Sequence, residues 1–178
     1  MADVTFPQTV GESMLDEARA VSHSQHTMAH LTSPLDGNLH GSVFGGVILA
    51  AVDKIAYVSA TRHAGCPTVT ASFDQVDFRS PVEIGEIVTL HASVNYVGRT
   101  SMEVGVRVMA ESVSGGPPRH TNSCYVTMVA VDEHGRPKAV PKLIIEDEVQ
   151  YRRYQDAVER RRARLRLAQD RRRRTAES

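Results

Sequence analysis

The chain has 178 residues, zero formal net charge, 41% hydrophobic and 24% charged residues and no Trp, which fits one folded domain with its own core. No apolar run reaches the ~18 residues of a membrane span; residues 43–52 are too short and lack the preceding basic stretch of a secretory signal, so a cytoplasmic location is expected. The neutral total hides a split: residues 1–145 carry 10 Lys+Arg against 14 Asp+Glu, and residues 146–178 carry 11 Arg against 7 acids.

Residues 1–12 show no period and are expected to be flexible. A strand is expected around 20–31, followed by turn chemistry at Pro34-Leu-Asp-Gly37. An apolar helix follows over 42–62. It lacks a strong polar face, which predicts burial on most sides, and Gly65-Cys-Pro67 ends it. Residues 68–78 are Thr/Val/Phe-rich and read as a strand. Residues 86–97 alternate, with Val88, Leu90, Ala92, Val94 and Tyr96 on one face. Gly98-Arg99 reads as a hairpin turn. Residues 101–112 repeat the alternation with Met102, Val104, Val106, Val108 and Ala110. After Gly115-Gly-Pro-Pro118, residues 121–132 give Cys124, Val126, Met128 and Ala130 on one face.

The pattern predicts an α+β domain over 13–145, an antiparallel meander of four strands wrapped on a central helix. One sheet on one helix leaves strand edges to cover, which favours oligomerisation. Residues 146–178 form an arginine-rich tail, helical over 146–175, with weak apolar spacing at Tyr151, Tyr154, Val158, Leu165 and Ala168.

The chemistry concentrates in Asn38-Leu-His-Gly-Ser-Val-Phe-Gly-Gly46 and the helix that follows. Asp53 is the first charge in that helix and has no cation at Ala56 or Tyr57. A carboxylate in such surroundings is costly to bury unless it is used or compensated, and suits a general base or nucleophile. Asn38 and the glycines serve turn geometry. Gly45 and Gly46 also leave helix N-terminal N–H groups for a developing oxyanion. From Gly45 to Asp53 is eight residues, about 12 Å along a helix axis, too far for one helix to bring both to one carbonyl. A shared site therefore predicts a dimer, with donor and base from different protomers.

Asn38-Leu-His-Gly41, Phe44-Gly-Gly46 and Asp53 resemble the helix signature of hotdog-fold acyl-CoA thioesterases, the acyl-CoA hydrolase family. Val69-Thr-Ala-Ser-Phe-Asp-Gln-Val-Asp-Phe78, Pro81-Val82, Gly85-Glu86 and Gly98-Arg-Thr-Ser-Met-Glu-Val104 resemble its strand motifs. The resemblance spans roughly residues 20–145, and Pro141, Leu143, Tyr154 and Arg160–Arg162 are similar in character. It implies hydrolysis of acyl-CoA with Asp53 as the catalytic carboxylate and Asn38 as its partner across the dimer. The N–H of Gly45 or Gly46 would polarise the thioester carbonyl. His40, Gly41, Phe44, Arg99, Thr100 and Ser101 would contact substrate, Arg99 through its fork of donors to phosphate; a polar hairpin turn is the other reading of Arg99–Ser101. The resemblance implies no metal and no cofactor beyond the coenzyme A of substrate and product, and a trimer of hotdog dimers.

Two other functions share these residues: an enoyl-CoA hydratase, weakened because Gly41-Ser42 follow His40, and a non-catalytic acyl-CoA-binding module. Cys66 and Cys124 lack a metal or CxxC spacing and read as structural, as His63 and His91 read as helix-end and sheet-surface residues. The arginine tail reads first as a charged helix packed on a neighbouring subunit, then as a contact for CoA phosphates. Nucleic-acid binding is least favoured, for want of interleaved aromatics.

Overall fold

The alternating apolar stretches form the strands of one sheet, and the glycine-led stretch forms the helix that lies on it. The computed structural model describes residues 18–74 and 76–176; the expected flexible segment 1–12 lies outside the described residues. The elements in chain order are β1 (Arg19–Ala20), β2 (His26–Leu31), α1 (Gly45–Ala64), β3 (Thr68–Phe73), β4 (Glu86–Val97), β5 (Ser101–Ser112), β6 (Arg119–Ala130), β7 (Leu143–Ile144) and α2 (Glu148–Ala176). Five strands form an antiparallel sheet in the order β2-β4-β5-β6-β3; β1 and β7 pair in parallel beside it.

The inner sheet face carries Val88, Leu90, Ala92 and Val94 from β4, Met102 to Ala110 in alternation from β5, and Cys124, Val126, Met128 and Ala130 from β6, all buried. Against it α1 lays Ile48, Val52, Ile55, Ala56 and Ala60. Burying each large aliphatic of this set contributes ~1.5–3 kcal/mol.

Four expectations are corrected. The continuous strand over 20–31 is interrupted by a 3-10 turn at Val21–Ser24. Ser24 turns inward there: its Oγ donates to Val21 C=O and accepts from Val94 N–H, while Ser59 Oγ donates to Ser24 C=O. The four-strand meander holds for β4, β5 and β6 only; β3 pairs with β6 at the far edge of the sheet. The strand expected over 68–78 ends at Phe73, because the chain then leaves the ladder and passes to Val82, whose C=O accepts from Val43 N–H just before α1. Finally, the burial of α1 is incomplete within the protomer. A helix on a single sheet has one covered face, and Gly46, Ala50, Lys54, Tyr57 and Val58 are exposed opposite it.

A bulge between Val94 and Tyr96 reverses the alternation at the end of β4. Tyr96 therefore pairs beside Glu103 on the outer face instead of sharing the face of Val94, and Val97 takes the inner position opposite Met102. The first half of α2 covers this outer face. Tyr154 packs on Tyr96 with ring centroids 5.6 Å apart, Ala157 is fully buried, and Arg160 sits 3.5 Å over the Tyr125 ring. Arg160 Nη2 and Arg164 Nη1 reach the carboxylate of Glu103 at 2.7 and 3.0 Å, and Arg164 also pairs with Asp74. Glu103 is 1% exposed. The tail thus packs on its own sheet through Tyr154, Ala157, Arg160 and Arg164, while Tyr151, Leu165 and Ala168 of the expected stripe stay exposed.

Both ends of α1 are distinctive. At the C-terminus Gly65 adopts φ 68°, and Arg19 Nη1 donates to the C=O groups of Arg62 and His63 at 2.7 and 2.9 Å. His63 is a helix-end residue, as expected, but fully buried: Nε2 lies 3.1 Å from Pro141 C=O, and Nδ1 has no partner. Burial holds its imidazole below the ordinary histidine value of 6.5.

A depressed histidine is neutral in the fold and protonates first in the unfolded chain. Stability from His63 is therefore full above pH 6.5 and falls below it, by up to about 1.4 kcal/mol per pH unit. Urea midpoints at pH 7.5 and 5.5 should fall less for His63→Gln than for the parent. Replacing Arg160 and Arg164 together by alanine leaves the buried Glu103 carboxylate unpaired and should cost about 3 kcal/mol in urea unfolding.

Candidate active site

A short hairpin of chain carries the segment before α1. Asp36 C=O accepts from Phe44 N–H at 2.8 Å, Gly37 bridges Val43, and Asn38 N–H donates to Ser42 C=O at 2.7 Å. Inside it the Asn38 amide is committed to the turn. Its Oδ1 accepts from the N–H of His40 (2.8 Å) and Ser42 (3.3 Å), and its Nδ2 donates to Ser42 Oγ. Gly41 takes φ 83°, so the tip turns where an L side chain would be strained. Leu39 and His40 at that tip are exposed, Leu39 completely.

The hairpin delivers the chain to α1 at Phe44, whose side chain makes no cap. Among the described residues the N–H groups of Gly45 and Gly46 donate to no protein acceptor. The glycines keep the entry clear: a Cβ at Gly46 would lie 2.4 Å from the Phe44 ring and displace it, and one at Gly45 would press on the Phe78 ring at 3.3 Å. The first turn thus presents bare donors bordered by two half-exposed phenyl rings.

Asp53 lies two turns further on, half-buried at the border of the exposed face. It is not without a partner, as its sequence surroundings suggested. Thr70 Oγ1 on β3 donates to Asp53 Oδ1 at 2.6 Å and touches Met128 Sδ at 3.4 Å. Sequence reasoning missed Thr70; it is one of several threonines in a Thr/Val-rich strand, and only the pairing of β3 beside α1 reveals its role. The hydroxyl fixes one carboxylate oxygen, and Oδ2 makes no hydrogen bond among the described residues.

The structure brings Asp53 to Thr70. Within one protomer no recorded contact joins Asp53 to Asn38, Gly45 or Gly46. Two concavities of about 360 and 490 Å³ lie on the outer sheet face, around Thr89, Arg107, His91 and Asn95, away from Asp53 and the glycines. Arg99 is exposed at the β4–β5 turn, with no ion pair among the described residues. The C=O groups of Arg99, Thr100 and Ser101 are taken by the N–H groups of Val140, Ala130 and Gly98. The Arg99 side chain and the hydroxyls of that turn remain for a ligand.

Cys124 is not a nucleophile candidate. Burial pushes the Cys124 thiol up to about 11, and Asn122 Nδ2 donates to its sulfur. Among the described residues no group of three or more His, Cys, Asp or Glu could hold a metal, and no helix is long and apolar enough to cross a membrane.

Known proteins resemble this chain in sequence and in fold. Residues 40–115 match the thioesterase superfamily. The chain is 45% identical to the protein VdlD of Helicobacter pylori over 78% of its own length and 79% of the relative's. It is 38% identical to the uncharacterized acyl-CoA thioester hydrolase YkhA of Bacillus subtilis, over 81% and 84%. A hexameric acyl-CoA thioesterase superposes with a TM-score of 0.82 at 40% identity, covering 85% of this chain and 97% of that one. The acyl-CoA hydrolase of Staphylococcus aureus, solved with butyryl coenzyme A and coenzyme A, gives 0.78 at 38%, covering 86% and 95%. Alanine variants of that enzyme have been solved at an asparagine, an aspartate and a threonine. Their intervals along its chain equal those between Asn38, Asp53 and Thr70 here.

Proposed function

From a chain that belongs to the acyl-CoA thioester hydrolases of the thioesterase superfamily, hotdog-fold enzymes, we propose the following reaction. The protein cleaves acyl-CoA thioesters with water, giving free acid and coenzyme A, at a site shared between two protomers. The observation that carries this reading is the Asp53 carboxylate held by Thr70 on the face of α1 that its own protomer leaves open.

The thioester carbonyl lies at the first turn of one protomer's α1, where the N–H groups of Gly45 and Gly46 take up the charge developing on oxygen. Asp53 of the other protomer removes a proton from a water molecule as that water adds to the carbonyl carbon. The tetrahedral intermediate collapses, the C–S bond breaks, and the proton held by Asp53 passes to the departing thiolate. Thr70 holds Oδ1, so the proton acceptor is Oδ2. Asn38 keeps its loop in shape and, across the seam, faces the half-site of Asp53. His40, Gly41 and Phe44 border the entering substrate, and Arg99, with Thr100 and Ser101, meets the phosphates of coenzyme A. No metal and no further cofactor enters this scheme.

The exposed features support the assembly. The open face of α1, the unpaired edge of β3 and the projecting Leu39 leave apolar surface that a second copy would cover. A homodimer through this face is the unit of activity, and three such dimers form the proposed hexamer.

Asp53→Ala should lower thiol release from acyl-CoA by 10²–10⁴-fold, to order of magnitude, with an unchanged unfolding midpoint. Thr70→Ala should lower kcat by roughly tenfold with less effect on KM, the scale of a lost hydrogen bond to a charged group. Asp53→Ala that retains parental turnover refutes the mechanism. If the site is shared, inactive Asp53→Ala and Asn38→Ala proteins refolded together should recover about a quarter of parental activity, from the one intact site of each mixed dimer. No recovery from a mixture shown to have exchanged subunits argues for a site within one chain.

A further inference from the structure

Residues 76–82, entered through Asp74, cross in front of the α1 N-terminus and are fastened on several sides. Arg164 of α2 pairs with the Asp74 carboxylate, and Asp74 N–H donates to Tyr125 C=O at 3.0 Å. Arg79 N–H donates to Thr121 C=O at 2.8 Å. Arg119 Nη2 donates to Pro81 C=O at 2.8 Å, with its guanidinium also held by both Glu86 oxygens. Val82 C=O accepts from Val43 N–H. This strap carries Phe78, half-exposed at 50%, whose ring edge lies in van der Waals reach of Gly45.

A phenyl ring left half in water costs apolar burial, yet the segment that carries it is held by β6, the α1 entry and an arginine of α2. The ring stands beside the bare N–H groups rather than beneath α1 in the core. A thioester whose oxygen is bound by those donors places its first acyl carbons within the reach of a neighbouring apolar group. Resting on the reaction proposed above, we infer that Phe78 is a specificity-determining residue. Its ring walls the start of the acyl channel and favours short, unbranched acyl groups over long ones.

The test compares kcat/KM for butyryl-CoA and dodecanoyl-CoA, read as thiol release, in the parent, Phe78→Ala and Phe78→Leu. Light scattering and thermal unfolding are followed in parallel. Opening the wall should raise the dodecanoyl-to-butyryl ratio about tenfold in Phe78→Ala, the scale of pocket discrimination by a few methylenes, with Phe78→Leu in between. The ratio is internal to each variant, so partial loss of folded protein does not move it. An unchanged or lowered ratio, or an equal loss for both thioesters together with a smaller oligomer, overturns the inference and leaves the hydrolase reading standing. No thiol release by the parent from either thioester overturns both.

Discussion

One helix against one sheet can bury only one of its faces, and the rest of this molecule follows from that constraint. The buried stripe of α1, from Ile48 to Ala60, fills the concave side of the sheet. Among the described residues nothing covers the opposite face. Gly46, Ala50, Tyr57 and Val58 stay outside, with Asp53 at the border where β3 can reach it. The groups suited to chemistry therefore stand on a surface that is also incomplete in its packing. Folding and site construction share one element but use different sides of it.

Strand identity was legible because alternation is a local property, and the inner faces of β4, β5 and β6 follow it closely. Strand order is not local. Nothing in Thr68–Phe73 states that it pairs with β6 instead of β4, and the route of the chain after Phe73 decides it. The bulge before Tyr96 was hidden for a similar reason, since one extra residue in a ladder leaves composition unchanged while reversing every side chain beyond it. In the site, Asp53 and the glycines stood out because charge and glycine are rare in an apolar helix. Thr70 did not, because a threonine in a strand signals only the strand until its neighbour across space is known.

The tail shows how charge runs mislead. Eleven arginines in residues 146–178 read as a charged helix packed on a neighbouring subunit, yet Arg160 and Arg164, one turn apart, converge on a carboxylate of their own sheet with almost no exposure. Glu103 alternates with buried valines on β5 and had every appearance of an outward residue in water. Its burial comes from α2, an element more than forty residues later in the chain. Arg164 extends the same cluster to Asp74, so the tail braces the segment that reaches the start of the central helix.

The arginine at the other end of α1 has a consequence of its own. Arg19 places a full positive charge on the carbonyls of Arg62 and His63, cancelling the partial negative charge of that terminus. The amide end has no protein acceptor among the described residues, and the half-exposed Phe44 and Phe78 rings beside it offer no counter-charge. The backbone charge that survives on α1 is then the positive one at its glycine end, so the helix favours negative charge at that end alone.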